Sequence, residues 1–218
     1  MPTLPEFDEL DTIRTKFQSE IFGSLAERKF NRKRCEDMIF DLLTMSYVYG
    51  LEVAGLDLER DIPVDRDKMR EAIYAKTAGK DFIERLNDHI KTANGLVSAA
   101  QGGTVEQLSA DIKAAESLVN DLSVLAETEA HRVINDAIMD SGDKYLRDNP
   151  GANLNKTWVT MNDDRVRETH DYLEGVTVPY NARFYTFDGD SAMFPGDFQN
   201  AENNVNCRCI LTLSPVNN

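Results

Sequence analysis

Arg147-Asp148-Asn149-Pro150-Gly151 is the stretch on which the reading of this chain turns. Pro150 lacks an amide and disfavours the helical conformation in Asn149, and Gly151 tolerates backbone angles closed to other residues, so a helix stops here. Before this stretch, apolar residues recur every three or four positions. After it come short β-prone runs, Thr157–Thr160, Val176–Val178, Arg183–Thr186 and Cys209–Leu213, separated by Gly, Pro, Asn and Asp. The change of period predicts an α+β fold, with long helices in the N-terminal two thirds and a small mixed α/β module at the C-terminus. The expected domains are 1–150, helical, and 151–218, the module.

Working back from the turn, Thr104 and Gln107 form a capping box ahead of Leu108, Ile112, Ala115, Leu118, Leu122 and Leu125, a stripe that continues more weakly through Val133, Ile134 and Ile138. An earlier helix is expected to start at Asp81, with Phe82, Leu86, Ile90 and Ala93 on its buried side. Asp65 caps a run through Met69, Ile73 and Tyr74. A second box, Ser24 with Glu27, opens a long stretch that includes Met38, Ile39, Leu42, Leu43 and Val48 and ends near Gly55. The first segment places Leu4, Phe7, Leu10, Ile13, Phe17 and Ile21 on one stripe behind a Thr3–Glu6 box. The simplest role for that stripe is packing on its own core.

Composition narrows the function classes. In 218 residues the chain is 41% hydrophobic and 28% charged, which suits a folded globular protein. Its 38 acidic against 24 basic residues give a net charge of -14, so the chain as a whole offers no attraction to a phosphate backbone. No run of 18 or more apolar residues occurs, and the start, acidic and without a charged-then-apolar pattern, predicts a chain made and kept in the cytoplasm, with no membrane partner. Cys35, Cys207 and Cys209 are expected as reduced thiols, because residues one position apart rarely reach disulfide geometry. Phosphate-binding loops, the nucleophile elbow, paired zinc-protease histidines and the dinucleotide fingerprint are all missing, which lowers the expectation of an enzyme.

Within the module, Asp163 and Asp164 are expected to cap a following helix through its free amides. Arg167 and His170, three apart, then share a helical face, and the Arg167 guanidinium is expected to pair with Glu129 and tie the module to the helices. Alternation along a strand puts Cys207 and Cys209 on one side and Arg208 on the other. The plain reading of the thiols is small buried apolar groups. A zinc site completed by His170 and Asp163 or Asp164 is the sharper reading, but Cys-x-Cys with one histidine is short of a closed four-ligand set, so neither metal nor cofactor is expected. His89 and His131 are expected to be surface or hydrogen-bonded histidines.

Taken in order, Trp158, Asp163-Asp164-Arg165, Arg167-x-x-His170, Gly175, Pro195-Gly196 and Asn206-Cys207-Arg208-Cys209 resemble the Mu-type head-morphogenesis, or minor head protein, family of tailed bacteriophages. Upstream, Glu127-Thr128-Glu129 before Ala130-His131-Arg132 is similar to the family's Thr-Glu helix, and Gly79-Lys80-Asp81-Phe82 with Arg85 to an earlier helix start. The resemblance covers residues 70–213. It implies a structural virion protein and no enzyme: a minor head component that contacts the phage portal or the major capsid protein, present in multiple copies. Such a chain would sit near packaged DNA without binding it specifically, be a candidate for ejection with it, and occupy the capsid interior or portal vertex after assembly in the host cytoplasm. The stripes at 4–21 and 36–51 are candidate partner contacts. The alternative is a nuclease-like or transferase-like module, of the kind a toxin carries, with His170 as general acid or base, Arg167 and Arg208 holding a phosphate, and Glu129 orienting.

Overall fold

The structure is a computed structural model that describes residues 19, 32–58, 82, 84–89, 91–92, 95 and 104–216. The expected helix over 4–21, apart from residue 19, the helix over 65–77 and the Ser24–Glu27 box lie outside these residues. The described elements run α1 (Arg32–Asp57), α2 (Val105–Asp148), β1 (Leu154–Val159), α3 (Glu168–Asp171), β2 (Thr177–Pro179), β3 (Phe184–Tyr185), β4 (Ser191–Ala192), α4 (Ala201–Asn204) and β5 (Ile210–Pro215). The fold is α+β, as the change of period predicts.

By contacts the chain divides into two compact units, 1–42 with 70–126, and 43–69 with 127–218. The compact units are drawn differently from the composition change at residue 151. Residues of α1 and of α2 are found in both units. In the first unit Ile39, Leu42, Phe82, Leu86, Leu118, Leu122 and Ala126 are buried, at the spacing that the sequence stripes require.

The second unit holds the sheet module. Here α1 and α2 approach closely at Gly50, where a Cβ would collide with the Ile134 carbonyl and the Ala137 side chain, so only glycine fits. Tyr47 donates a hydrogen bond to Asp140 at 2.8 Å across the same pair. The helix α2 is one continuous element of 44 residues. It ends with Asn149 N–H bonded to the Tyr145 carbonyl, and Gly151 follows at a φ of 93°. That is the stop expected from Asp148-Asn149-Pro150-Gly151.

Three strands form an antiparallel sheet in the order β2-β1-β5, with Thr157 opposite both Thr177 and Thr212; β3 and β4 form a separate pair. The strand β1 has Leu154, Lys156 and Trp158 buried, and Trp158 is fully enclosed. Lys156 is unusual in that position. Its Nζ donates to the Met193 carbonyl at 2.7 Å, and burial, with help from Arg183, lowers its pKa to about 8.

Helix α2 supplies side chains to the far edge of β5. Asn135, fully buried, donates to the Cys209 carbonyl at 3.0 Å and accepts the Leu211 N–H at 2.9 Å, as a neighbouring strand would. At the end of α1, Asp57 accepts the Leu213 N–H at 2.8 Å. A second anchor is Tyr180, whose hydroxyl donates to the Met139 carbonyl at 2.5 Å and lies 3.0 Å from Asp143. It rests on Gly142, where an added Cβ would come within 2.5 Å of the ring.

Candidate functional site

The residues singled out in the sequence meet where α3, the segment before β5 and the end of β1 converge. Backbone bonds build the corner: Trp158 takes the Gly175 N–H on its carbonyl at 2.9 Å and gives its own N–H to Val176 at 3.0 Å. Gly175 turns the chain there with a φ of 70°, which a side chain would strain. The helix α3 is a single turn that begins after Arg167, and His170 N–H bonds to the Arg167 carbonyl at 2.9 Å. This turn lifts the His170 ring into the module's interior.

His170 is 2% exposed, stacked on Phe198 with ring centroids 5.3 Å apart, and meets the edge of Trp158 at 5.4 Å. Its Nδ1 lies 3.6 Å from Cys207 Sγ and 3.5 Å from Cys209 Sγ. Both thiols are buried and free and both face His170; the expected strand does not include them, because β5 begins at Ile210. The Cys209 thiol and then His170 favour a thiolate at Cys207, whose pKa falls, and that neighbouring charge together with burial holds Cys209 protonated. His170 Nε2 is buried and has no hydrogen-bond partner among the described residues. A small cleft, with a volume of about 10 Å³, reaches this cluster between Met161, Val166, Arg167 and Asn206.

Arg208 points the other way and grips Asp163 with both Nη atoms, at 2.8 and 2.6 Å. The Arg208 guanidinium lowers the Asp163 pKa to about 2. This corrects the expected capping role: Asp163 accepts the Arg165 N–H at 3.1 Å, and α3 has Arg167 at its N-cap with no side-chain cap. Asp164 is exposed. The turn between Asp163 and Val166 puts these carboxylates too early in the chain to reach the first amides of α3.

The expected Arg167–Glu129 pair is also corrected. Both Glu129 oxygens go to Arg132, at 2.9 and 2.6 Å, one turn along the same helix, while Arg132 also pairs with Asp136. Burial works against the Arg132 charge, and Glu129 and then Asp136 more than offset it. A partner three residues away needs no tertiary contact to form, so it takes Glu129 first. Arg167 instead donates to the Val205 carbonyl at 2.5 Å. Thr128 does tie the helix to the module, since its hydroxyl accepts the Asn206 N–H at 3.1 Å. His131 is kept neutral by burial, its pKa lowered to about 4, and His89 Nδ1 lies 2.7 Å from the Arg85 carbonyl in its own helix.

Sequence reading missed a second polar centre. Asp190 is 6% exposed and gathers the N–H groups of Ser191 (2.8 Å), Gln199 (3.4 Å) and Asn200 (3.1 Å) and the Asn203 amide (3.0 Å). Burial alone would raise its pKa, but Asn203 and these amides lower it. Asp188, bonded to Thr186, flanks it. The only signal was a Gly-Asp pair among turn formers, which does not distinguish an exposed turn carboxylate from a buried one.

A tryptophan strand, a one-turn helix carrying histidine and a Cys-Arg-Cys segment, all set against a long helix, define a phage head-morphogenesis module. The family model for Phage Mu protein F like protein matches residues 88–212, and the chain belongs to that phage minor head family. Minor head protein GP7 of Bacillus phage SPP1 is 31% identical over 212 residues, which are 93% of this chain and 66% of that protein. The NAD(+)–arginine ADP-ribosyltransferase EFV of Enterococcus faecalis is 28% identical over 153 residues, covering 67% of this chain and 31% of that protein. The chain thus spans just under two thirds of the first and under a third of the second. No solved structure matches it.

Proposed function

We propose that this chain is a structural component of a bacteriophage head, a minor head protein held at the portal or on the inner capsid surface. The observation that carries the proposal is the likeness to a minor head protein along 93% of the chain. The site agrees with a structural role. Arg208 and Glu129, which a phosphate-binding enzyme would keep free, are committed to Asp163 and Arg132, and one Arg167 nitrogen is committed to the Val205 carbonyl. In this reading the partners are the portal and the major capsid protein, the chain assembles in the host cytoplasm, and several copies enter each head and leave with the DNA. An acidic chain can occupy a head without being titrated by packaged DNA.

The test is co-assembly of the full chain with the portal and capsid proteins of the same phage. The expected outcome is a chain that sediments with portal rings or empty heads at a fixed stoichiometry. A chain that stays in the soluble fraction in the presence of both ends the proposal.

A second reading, a transferase-like or nuclease-like activity, is favoured by the match to the Enterococcus protein alone. It is tested by incubating the full chain with NAD+ and arginine, and with RNA and DNA. Turnover that disappears in His170→Ala would replace the structural reading with this one.

A further inference from the structure

We infer that His170, Cys207 and Cys209 bind one zinc ion, with solvent in the fourth position at the mouth of the cleft. The ion pins α3 to the segment that leads into β5. This reverses the expectation, drawn from the Cys-x-Cys spacing, that no metal is held, and it is independent of the virion role.

The geometry comes first. His170 Nδ1, Cys207 Sγ and Cys209 Sγ all lie within 4.8 Å of one another, with the two N···S separations at 3.6 and 3.5 Å. A tetrahedral zinc with Zn–S bonds of about 2.3 Å and Zn–N of about 2.0 Å leaves its nitrogen and sulfur ligands roughly 3.5 Å apart. Both N···S separations therefore match two edges of such a tetrahedron, and the S···S separation lies within 4.8 Å.

The chemistry of the donors points the same way. Two thiolates and an imidazole are soft or borderline ligands that suit zinc, and the cluster has no oxygen donor to favour magnesium or calcium. Two thiolates and a neutral imidazole also balance a divalent charge, and binding would release the two thiol protons to solvent. Hydrogen bonding alone serves the cluster poorly. Nδ1 has one lone pair and two sulfurs at nearly equal distance, so at most one thiol can donate to it.

The surroundings fix the ligands in advance. Phe198 and Trp158 clamp the imidazole plane, and Asn135 holds the Cys209 carbonyl from the opposite side. Ring packing and this backbone bond, and not a hydrogen bond at Nε2, orient these ligands. The fourth ligand expected from Asp163 is unavailable, because both its oxygens face Arg208. The cleft of about 10 Å³ reaches all three donors, and a space of that order is roughly what one water needs.

The test uses the full chain, expressed in zinc-supplemented medium and purified under reducing conditions. Elemental analysis should find one zinc per chain in the wild type and in Cys35→Ser, and none in Cys207→Ser, Cys209→Ser or His170→Ala. Titration of the metal-stripped wild type with Co2+ should give the near-ultraviolet charge-transfer bands of cobalt thiolates, saturating at one equivalent. This readout needs no variant to fold. A zinc-free wild type that shows no such bands overturns the inference. So does zinc retained undiminished in both cysteine variants.

Discussion

Two polar clusters order the sheet module, and they are built on opposite plans. At Asp190 a single carboxylate collects three backbone amides and the Asn203 side chain, and every donor finds an acceptor. At His170 two thiols converge on one ring nitrogen, and the other ring nitrogen has no partner among the described residues. Both are buried, and both fasten chain that has little regular structure. The difference is that the first is complete with protein atoms alone and the second is not. Low dielectric makes unpaired polar groups costly, so a completed cluster belongs to the fold and an incomplete one marks where something from outside fits.

The largest effect expected from breaking this contrast is at the completed centre. Asp190→Ala leaves several buried donors unpaired and should lower unfolding free energy by about 2–4 kcal/mol, read from the urea midpoint. A loss within a few tenths of a kcal/mol would show that water replaces the carboxylate without cost.

At the incomplete centre the effect should depend on metal. In zinc-free buffer, Cys209→Ser should cost about 1–3 kcal/mol, the cost of burying a hydroxyl in place of a thiol. With free zinc a hundredfold above the dissociation constant, the wild type should gain about 2.7 kcal/mol and the variant nothing. Equal melting shifts for the two proteins on adding zinc would erase the distinction between the clusters.

The smallest effect belongs to the half-buried Arg208–Asp163 pair beside them. Arg208 depresses the Asp163 pKa to about 2, below the unfolded value of about 3.9. The unfolded chain binds the proton first as pH falls, so the stability this pair adds is fully present above about pH 4 and is lost as pH drops through about 2. Asp163→Asn should flatten that part of the melting curve against pH and leave melting near neutrality almost unchanged.

Much of this was legible in the sequence, and the reasons differ by element. The helix stop at Asp148-Asn149-Pro150-Gly151 rests on local turn chemistry, and it holds. The strands around Trp158 and Leu211 rest on β-prone composition, and they hold as well, while the two-residue β4 is too short to leave a pattern. Cys207 and Cys209 do face His170 with Arg208 turned to Asp163, but they lie in irregular chain ahead of β5, so no strand period set this arrangement. Pairings between long side chains were another matter. Glu129 went to Arg132, not Arg167, because a neighbour one helical turn away outcompetes one that the fold must deliver. Asp163 went to Arg208, 45 residues on, for the opposite reason: the module's closure brings a two-pronged donor that no local amide can match. Asn135 and Asp57 act on β5 from distant helices, and no spacing in the sequence records that.

The side chains of Asn135 and Asp57 carry a consequence for crowding. A strand edge with free amides is a template on which another chain can polymerise. On β5 the amides of Leu211 and Leu213 are occupied by side chains of its own helices, so the sheet cannot lengthen on that side. Its other border, β2, is three residues long and ends in Pro179. Neither border of this three-stranded sheet therefore offers a second molecule a long row of free amides on which to add a strand.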